Sequence, residues 1–526
     1  MNKNFYITTP IYYPSARPHM GHAYSSIVSD VIARFKRLDG FKVEFLTGTD
    51  EHGLKIQRAA EEKGVDPKKF CDEISKTFRN LSNTLNLSNT DFIRTTEERH
   101  IKSVQNLWKI LVKKNQIYLS KYSGWYSVSD EAFYNDDEIK EENGINVSVN
   151  SGSKVEWVDE ESYFFKLSEW ENKLLKFYED NPKFILPNSR RNEVISFVKS
   201  GLKDLSISRR SFSWGIKVPD NKEHVIYVWL DALTNYISAL NYPDTKNIKY
   251  NNYWPADIHM IGKDILRFHA IYWPAFLLAA DLPPPKRVYG HGWILSGEEK
   301  MSKSKGNILD PLEIVDKYGL DPLRYYLLKE VSFGNDGNIS KEKLENCINS
   351  DLANNYGNLC QRVIAFNEKN CDLLIPEKKD FEDDDLKLLN KVGGNIKSLR
   401  SNIDNQELNS YMNFIVDCLF DANKYFNDQE PWKKKSDIMR LNTIVYVSLE
   451  IIRKVSILLN PIIPNTSLKV LEIFNLKQKD ITFESIKNHE NLKSNSKIEK
   501  IGILFKKIDK NETKTWNGIQ NYRRSC

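Results

Sequence analysis

The chain contains neither a Gly-x-x-x-x-Gly-Lys loop nor a Gly-x-Gly-x-x-Gly turn. A nucleotide bound here is therefore not held in a glycine cradle of either kind. Its six cysteines, Cys71, Cys347, Cys360, Cys371, Cys418 and Cys526, form no Cys-x-x-Cys pair, and none lies between Cys71 and Cys347. That pattern reads as reduced, mostly buried thiols. No window reaches the roughly 18–20 uninterrupted apolar residues of a membrane helix. The stretch Met1 to Thr9 turns strand-like at once, without the apolar core of a signal peptide, so a cytoplasmic protein with no membrane partner is expected. Neither sign of charge dominates: 76 Lys+Arg against 71 Asp+Glu leaves +5, which permits a nucleic-acid partner without requiring one.

With 526 residues, 40% hydrophobic and 28% charged, the chain is globular and too long for one core. Residues 5–9 and 43–47 read as buried strands. Between them Ile27, Val28, Val31, Ile32 and Phe35 repeat at helical spacing, and Gly40 suits the helix end. Strand, helix, strand is a βαβ unit, so the sheet is expected to be parallel. Helical patterns continue over 66–85 and 97–115. From about 116 to 225 an aromatic, Asn/Asp/Ser-rich stretch reads as an inserted domain with its own small sheet. Strand signals return at His224–Trp229 and Asp257–Gly262, and a second βαβ half runs to Val288–Trp293. Beyond about 350 the patterns are helical only. The expected domains are an α/β Rossmann-like catalytic fold in two halves, 1–115 and 226–295, split by the insertion at 116–225. A loop domain at 296–350, an all-α bundle at 351–485 and a Lys/Asn-rich tail at 486–526 follow.

Two short strings carry the chemistry. His19-Met20-Gly21-His22 falls where the first strand passes into the first helix. Helix N-termini favour anions, and imidazoles three apart share a face from which they can donate to phosphate oxygens. Gly21 leaves the backbone open to a nucleotide. Two histidines that merely sit near a turn, or half of a metal site, are the alternatives, and no third ligand lies near in sequence. Lys300-Met301-Ser302-Lys303-Ser304 sits in a loop bounded by Gly297 and Gly306. Its lysines can neutralise the outer phosphates of ATP, and the glycines allow closure. A solvated linker is the alternative for that string by itself.

These strings resemble the class I aminoacyl-tRNA synthetases, and within them the methionyl-tRNA synthetases. The likeness runs from about Phe5 to about Phe474. It includes Tyr6 to Tyr13, Gly48-Thr49-Asp50-Glu51-His52-Gly53, Tyr227-Val228-Trp229-Leu230-Asp231-Ala232, Ile261-Gly262-Lys263-Asp264 and Phe268-His269. The resemblance implies activation of L-methionine by ATP with Mg²⁺, then transfer to initiator and elongator tRNA(Met). It implies His19, His22, Lys300 and Lys303 as catalytic. Gly21, Gly262, Asp264, Ser302 and Ser304 would join them around ATP. Ile11, Tyr13, Trp229, Ala232, Tyr236, Ile265 and His269 would line a methionine pocket, with Asp50 on the ammonium group. Core packing is the alternative for the apolar members, Ile11, Ala232 and Ile265 above all. Arg209 corresponds to a family arginine near the adenylate, with a structural ion pair as the alternative. Asn358, Arg362 and Trp432 would read the anticodon, with a core residue at a helix start (Trp432) and an ordinary surface arginine (Arg362) as the alternatives.

The chain departs from its family at the knuckle of the insertion. Many members place Cys-x-x-Cys pairs there, whereas Gly124-Trp125-Tyr126 is followed here by Ser127-Val128-Ser129-Asp130. Structural zinc needs about four ligands, preferably thiolates. No zinc or other resident metal is therefore expected, and packing around Trp125, Tyr126, Phe133 and Tyr134 should hold the knuckle. The chain stops at Cys526, before any appended dimerising module, so a monomer is expected. The length leaves no room for the editing insertion of the valine, leucine and isoleucine enzymes.

Overall fold

The structure is a computed structural model and describes residues 3–14, 18–130, 132–149, 151–296, 299–300 and 310–509. The chain divides into two compact units, one of Met1–Asp30 with Lys42–Trp293 and one of Val31–Phe41 with Ile294–Cys526. Among the described residues no helix is long and apolar enough to cross a membrane.

The first unit is built on a six-stranded parallel sheet. Its strands are β1 (Asn4–Tyr12), β2 (Lys42–Thr49), β3 (Asp91–Arg94), β4 (Ile185–Leu186), β5 (Ile258–Gly262) and β6 (Val288–His291), in the order β3-β2-β1-β5-β6-β4. Five consecutive residues of β1, Phe5 to Thr9, are buried. This is the near-continuous burial expected of a central parallel strand covered on both faces. Helix α1 (Met20–Leu38) follows β1 and buries Ala23, Tyr24, Ile27 and Val28. Gly40, at φ +82°, closes the turn into β2. At Gly48 a Cβ would collide with the carbonyl of Ile93, so the close approach of β2 and β3 requires glycine there. An irregularity between Thr8 and Ile11 shifts the β1–β2 register before Ile11 meets Gly48 and Tyr12 meets Thr49. Such irregularities re-aim side chains at strand ends.

The insertion carries two larger antiparallel sheets and a two-stranded one that joins Ile139–Glu142 to Ile145–Ser148. The first pairs Ile117–Ser127 with Glu156–Phe165. The second joins Ser208–Arg209, Asn221–Ile226 and Lys217–Val218. Two expectations change here. Residues His224 to Ile226 belong to this second sheet and not to the parallel one, and the same apolar run continues as helix α2 (Val228–Leu233). The insertion is also not wholly outside the core, because β4 pairs with Val288 and Tyr289 at the sheet edge. At the knuckle, Asp130 accepts hydrogen bonds from Tyr134 Oη (2.7 Å), Ser151 Oγ (2.5 Å) and Ser153 Oγ (2.8 Å). Its own N–H donates to Ser127 Oγ at 3.3 Å. Trp125 packs edge-on against Trp157, with centroids 5.2 Å apart. One carboxylate thus ties together two turns of the knuckle, alongside the aromatic packing.

The second unit is mainly helical. Helices α3 (Asn358–Cys371), α4 (Leu408–Asp428) and α5 (Ile438–Leu459) are its longest elements. Nearly every residue of α5 is buried, the signature of a helix enclosed on all sides. Inside it Arg453 lies 2.6 Å from Glu450, and the buried Lys454 donates to His489 Nδ1 at 2.6 Å. Residues beyond 485 are bonded back into this unit: Ile375 N–H donates to Ser496 O, and Asn349 exchanges two hydrogen bonds with the backbone of Ile508. Phe505 lies 3.7 Å from where a Cβ would stand on Gly357, placing this stretch against the helix that leads into α3.

Candidate active site

The carboxyl ends of β1, β2, β5 and β6 meet along one edge of the parallel sheet, where open α/β folds bind ligands. Helix α1 begins there. The N–H of His19 donates to His22 Nδ1, and that of Gly21 to His19 Nδ1, both at 3.1 Å. Each ring therefore accepts at Nδ1 and, when neutral, carries its proton on Nε2. The rings lie 3.8 Å apart. Burial among Tyr12 and Phe78, then the neighbouring His19, pushes the His22 pKa well below its ordinary value. The result is a pair of imidazole N–H donors, with His22 neutral at physiological pH. A Cβ on Gly21 would sit 2.9 Å from the His19 ring. Its missing side chain thus admits that ring, which the sequence alone did not indicate.

Behind these histidines Ser25 Oγ and His291 Nε2 are 2.7 Å apart, linking α1 to the end of β6. Gly262 pairs with His291, and a Cβ on Gly262 would fall 2.5 Å from Asp264 Oδ1. That carboxylate accepts from Trp293 Nε1 at 3.2 Å. Gly262 and Asp264 are thereby brought together at the strand end.

A second cluster surrounds His269. Its Nδ1–H donates to Ile265 O at 2.9 Å, which leaves Nε2 to accept from Tyr236 Oη at 2.7 Å. Burial lowers the His269 pKa to about 4. Trp229 stacks on Phe268 at 3.8 Å and meets His269 edge-on. Ile11, Tyr13, Trp229 and Ile265 are half-buried against one core cluster, and Ala232 and Tyr236 are buried. Asp50 is buried just beyond the end of β2, its N–H bonded to Tyr12 O.

Three residues with no role assigned from sequence organise this region. Asp231, on α2 beside Trp229 and Ala232, receives His52 Nδ1 at 2.6 Å and His100 Nε2 at 2.7 Å. Burial alone would raise the Asp231 pKa, but the imidazoles of His52 and His100 outweigh it and hold the carboxyl below its usual range. Tyr13 Oη donates to His52 O at 2.7 Å, so the imidazole pair reaches the pocket lining through Tyr13. His52 and Asp231 both lie in strings that carry the resemblance, and their pairing across 179 positions was the missing signal.

Arg209 stands on the second antiparallel sheet, paired with Val225. It is buried between the rings of Tyr126 and Tyr227, donates to Ser206 Oγ at 2.9 Å and is 3.7 Å from Glu160. Those contacts are the structural ion pair. Lys300 pairs through its backbone with Leu295. Its side chain, and Ser302, Lys303 and Ser304, lie outside the described residues. Among the described residues no group of three or more His, Cys, Asp or Glu could hold a metal ion.

In the helical unit Arg362 Nη2 donates to Asn427 Oδ1 at 2.6 Å, and its guanidinium lies over the Phe426 ring at 5.6 Å. Trp432 approaches the same ring at 6.2 Å and is 40% exposed. Asn358 stands one turn before Arg362 on α3. The helix leading into α3 contains a widened π turn over Ile348–Gly357, a feature frequent at functional sites. Arg362 and Trp432, far apart in sequence, thus flank one aromatic ring.

Comparison with known proteins agrees with this geometry. Residues 5–364 match the family model described as tRNA synthetases class I (M), and residues 375–522 match the anticodon binding domain of methionyl tRNA ligase. The methionine–tRNA ligase of Brucella suis is 50% identical over 90% of this chain and 92% of its own. That of Rickettsia conorii is 49% identical over 97% of this chain and all of its own. The Mycobacterium tuberculosis methionyl-tRNA synthetase solved with methionyl-adenylate superposes with a TM-score of 0.94 at 44% identity, covering 96% of this chain and 99% of that one. With a six-stranded parallel sheet, a histidine pair at the head of α1 and these likenesses over nearly its whole length, the chain belongs to the methionyl-tRNA synthetase family of class I aminoacyl-tRNA synthetases.

Proposed function

We propose that the chain joins L-methionine to tRNA(Met) in two steps, and that the residues at the sheet edge act as follows. MgATP enters as substrate with its phosphates at the head of α1. A methionine carboxylate oxygen attacks the α-phosphorus, and the bond to the departing pyrophosphate breaks. Charge that builds on the phosphoryl oxygens is met by the Nε2–H groups of His19 and His22. Such pre-aligned donors stabilise a transition state without reorganising. Burial keeps His22 neutral, so it contributes a directed hydrogen bond and not a full charge. Gly262 and Asp264 take the ribose side. Lys300 and Lys303, with Ser302 and Ser304, meet the outer phosphates.

Methionine lies with its thioether against Trp229, Tyr236 and His269, with Ile11, Tyr13, Ala232 and Ile265 completing the lining and Asp50 on the ammonium. Thioether sulfur packs well at aromatic edges. The fixed His269 tautomer turns an acceptor, not a charge, toward Tyr236. In the second step the terminal ribose hydroxyl of tRNA attacks the carbonyl carbon of the adenylate and AMP leaves. Asn358, Arg362 and Trp432 read the anticodon by edge hydrogen bonds and stacking. The reaction is assigned to the cytoplasm as part of this reading. Arg209, already paired with Glu160, supports the adenylate site from a distance.

The observation that carries this reading is the His19–His22 pair, each ring held by a backbone N–H at Nδ1. The test is ATP–pyrophosphate exchange with the purified chain. Stimulation by methionine, and not by leucine, isoleucine or cysteine, is expected. Exchange that follows another amino acid, or none, overturns the reading.

A further inference from the structure

Helix α4 buries its apolar stripe, Tyr411, Ile415, Cys418, Leu419, Ala422 and Phe426 among it. Phe420 does not join that stripe and is 65% exposed. Its surroundings are polar and specific. One turn further along α4, Asn423 Nδ2 donates to Asn355 Oδ1 at 2.7 Å. A turn beyond that, Asn427 receives Arg362. These two contacts form rungs between α4 and the helix carrying Asn355, Asn358 and Arg362. Phe420 stands at one end of the ladder and Trp432, beside Phe426, at the other. The eight residues from Phe420 to Asn427 span about 10 Å of helix. Lys424 lies exposed one turn from Phe420, and the nearby Asp421 is taken up by Lys391 at 2.5 Å. An exposed ring one turn from a side-chain amide and a lysine suits an unpaired base with its phosphate, since rings stack on any base face while amides and cations meet edges and backbone.

We propose that Phe420 is a second stacking platform for an unpaired base of the tRNA anticodon loop, at the far end of the ladder from Trp432. The inference rests on the anticodon reading of Asn358, Arg362 and Trp432 and extends it to a residue outside that trio. The base that stacks on Phe420 is a neighbour of the one on Trp432, and Lys424 meets the phosphate beside it. The ring is used for its π face, so tryptophan can replace it, whereas leucine keeps only its apolar area.

The test measures aminoacylation by the full-length enzyme over a range of tRNA(Met) concentrations. Methionine-dependent exchange, a reaction without tRNA, gives the amount of folded enzyme. Phe420→Ala should raise KM for tRNA about tenfold, the scale of one lost base stack. Phe420→Leu should raise it nearly as much, and Phe420→Trp should restore it. A photoreactive phenylalanine analogue at 420 should crosslink to an anticodon-loop nucleotide. Trp432→Ala runs in parallel. If it raises KM while Phe420→Ala does not, the second platform is refuted and the anticodon reading stands. If neither variant changes KM, both fall. A crosslink to the tRNA stem, or to a second copy of the chain, also overturns the proposal.

Discussion

Asp231→Asn tests whether the buried imidazole pair holds up the proposed methionine pocket. The carboxylate is fully buried and receives two imidazole nitrogens, at 2.6 and 2.7 Å. Asparagine has the same shape but keeps only one acceptor. Its NH₂ would face an imidazole nitrogen that is itself a donor, so one histidine must change tautomer or lose its bond. Breaking a buried pair by removing one partner costs about 3–5 kcal/mol. One bond survives in the amide, so a loss of about 3 kcal/mol is expected. That is a large part of a typical net stability of about 5–15 kcal/mol. The Trp214 ring lies 5.5 Å from His52, so urea unfolding followed by tryptophan fluorescence reports on this region. The displaced His52 backbone should release Tyr13, raising the methionine KM in exchange several-fold with a smaller effect on the ATP KM. In the parent enzyme the folded pKa of Asp231 lies below the unfolded one. Its contribution is thus complete at neutral pH and fades only as the pH falls through the depressed folded value. The asparagine variant should lack that component of acid sensitivity. An unfolding midpoint and a methionine KM both equal to those of the parent would refute the supporting role.

His22→Ala should cut the exchange rate by about 10²–10³ with little change in the ATP KM, as for other removed transition-state donors. An equal fall with His22 replaced by glutamine would show that the Nε2–H position is not what matters. The buried His269 resists protonation down to about pH 4, whereas the unfolded residue takes its proton near 6.5. Its stabilisation is therefore complete above about pH 6.5 and declines by roughly 3 kcal/mol between 6.5 and 4, at about 1.4 kcal/mol per pH unit. Denaturation at stepped pH on the parent and on His269→Gln should show a shallower decline in the variant. Asp130→Ala removes the shared acceptor of Tyr134, Ser151 and Ser153. With water replacing part of it, about 2 kcal/mol of local stability should be lost. Limited proteolysis near residues 127–154 should then quicken while exchange persists, and unchanged cleavage would refute the knot.

Where a signal was local, the sequence carried it. The spacing of Ile27, Val28, Val31 and Ile32 located α1, and the apolar runs located β1, β2, β5 and β6. The run His224–Trp229 misled because an apolar stretch of that length suits a buried strand or a buried helix turn equally. The chain uses both, as a strand to Ile226 and then α2. Strand β4 has two residues and no pattern that a sequence could display. Within the site, residue types and strings marked His19, His22, Trp229 and His269, but partnerships were invisible. The joining of His52 to Asp231, of Ser25 to His291 and of Arg209 to Glu160 spans 179, 266 and 49 positions, the last being 209 − 160. Only the fold brings these together. The ion-pair alternative for Arg209 could be weighed only once Glu160 was seen beside it.

The order of strands also bears on how the chain is made. Strand β1 is synthesised well before β5, one of its two neighbours, and Tyr6 bonds to Asp257 across 251 positions. At roughly 5–20 residues per second, about 13–50 s separate the emergence of one partner from that of the other. For that interval the inner edge of β1 is an open row of amide donors and carbonyl acceptors. Open edges of this kind invite pairing with other chains. The nascent enzyme thus passes through a window in which a holding chaperone, or slow hydrophobic collapse around α1, has to shield the edge that will later receive β5. Synonymous changes that alter the pace of translation between the two strands should therefore change the yield of native enzyme without altering a single residue of it.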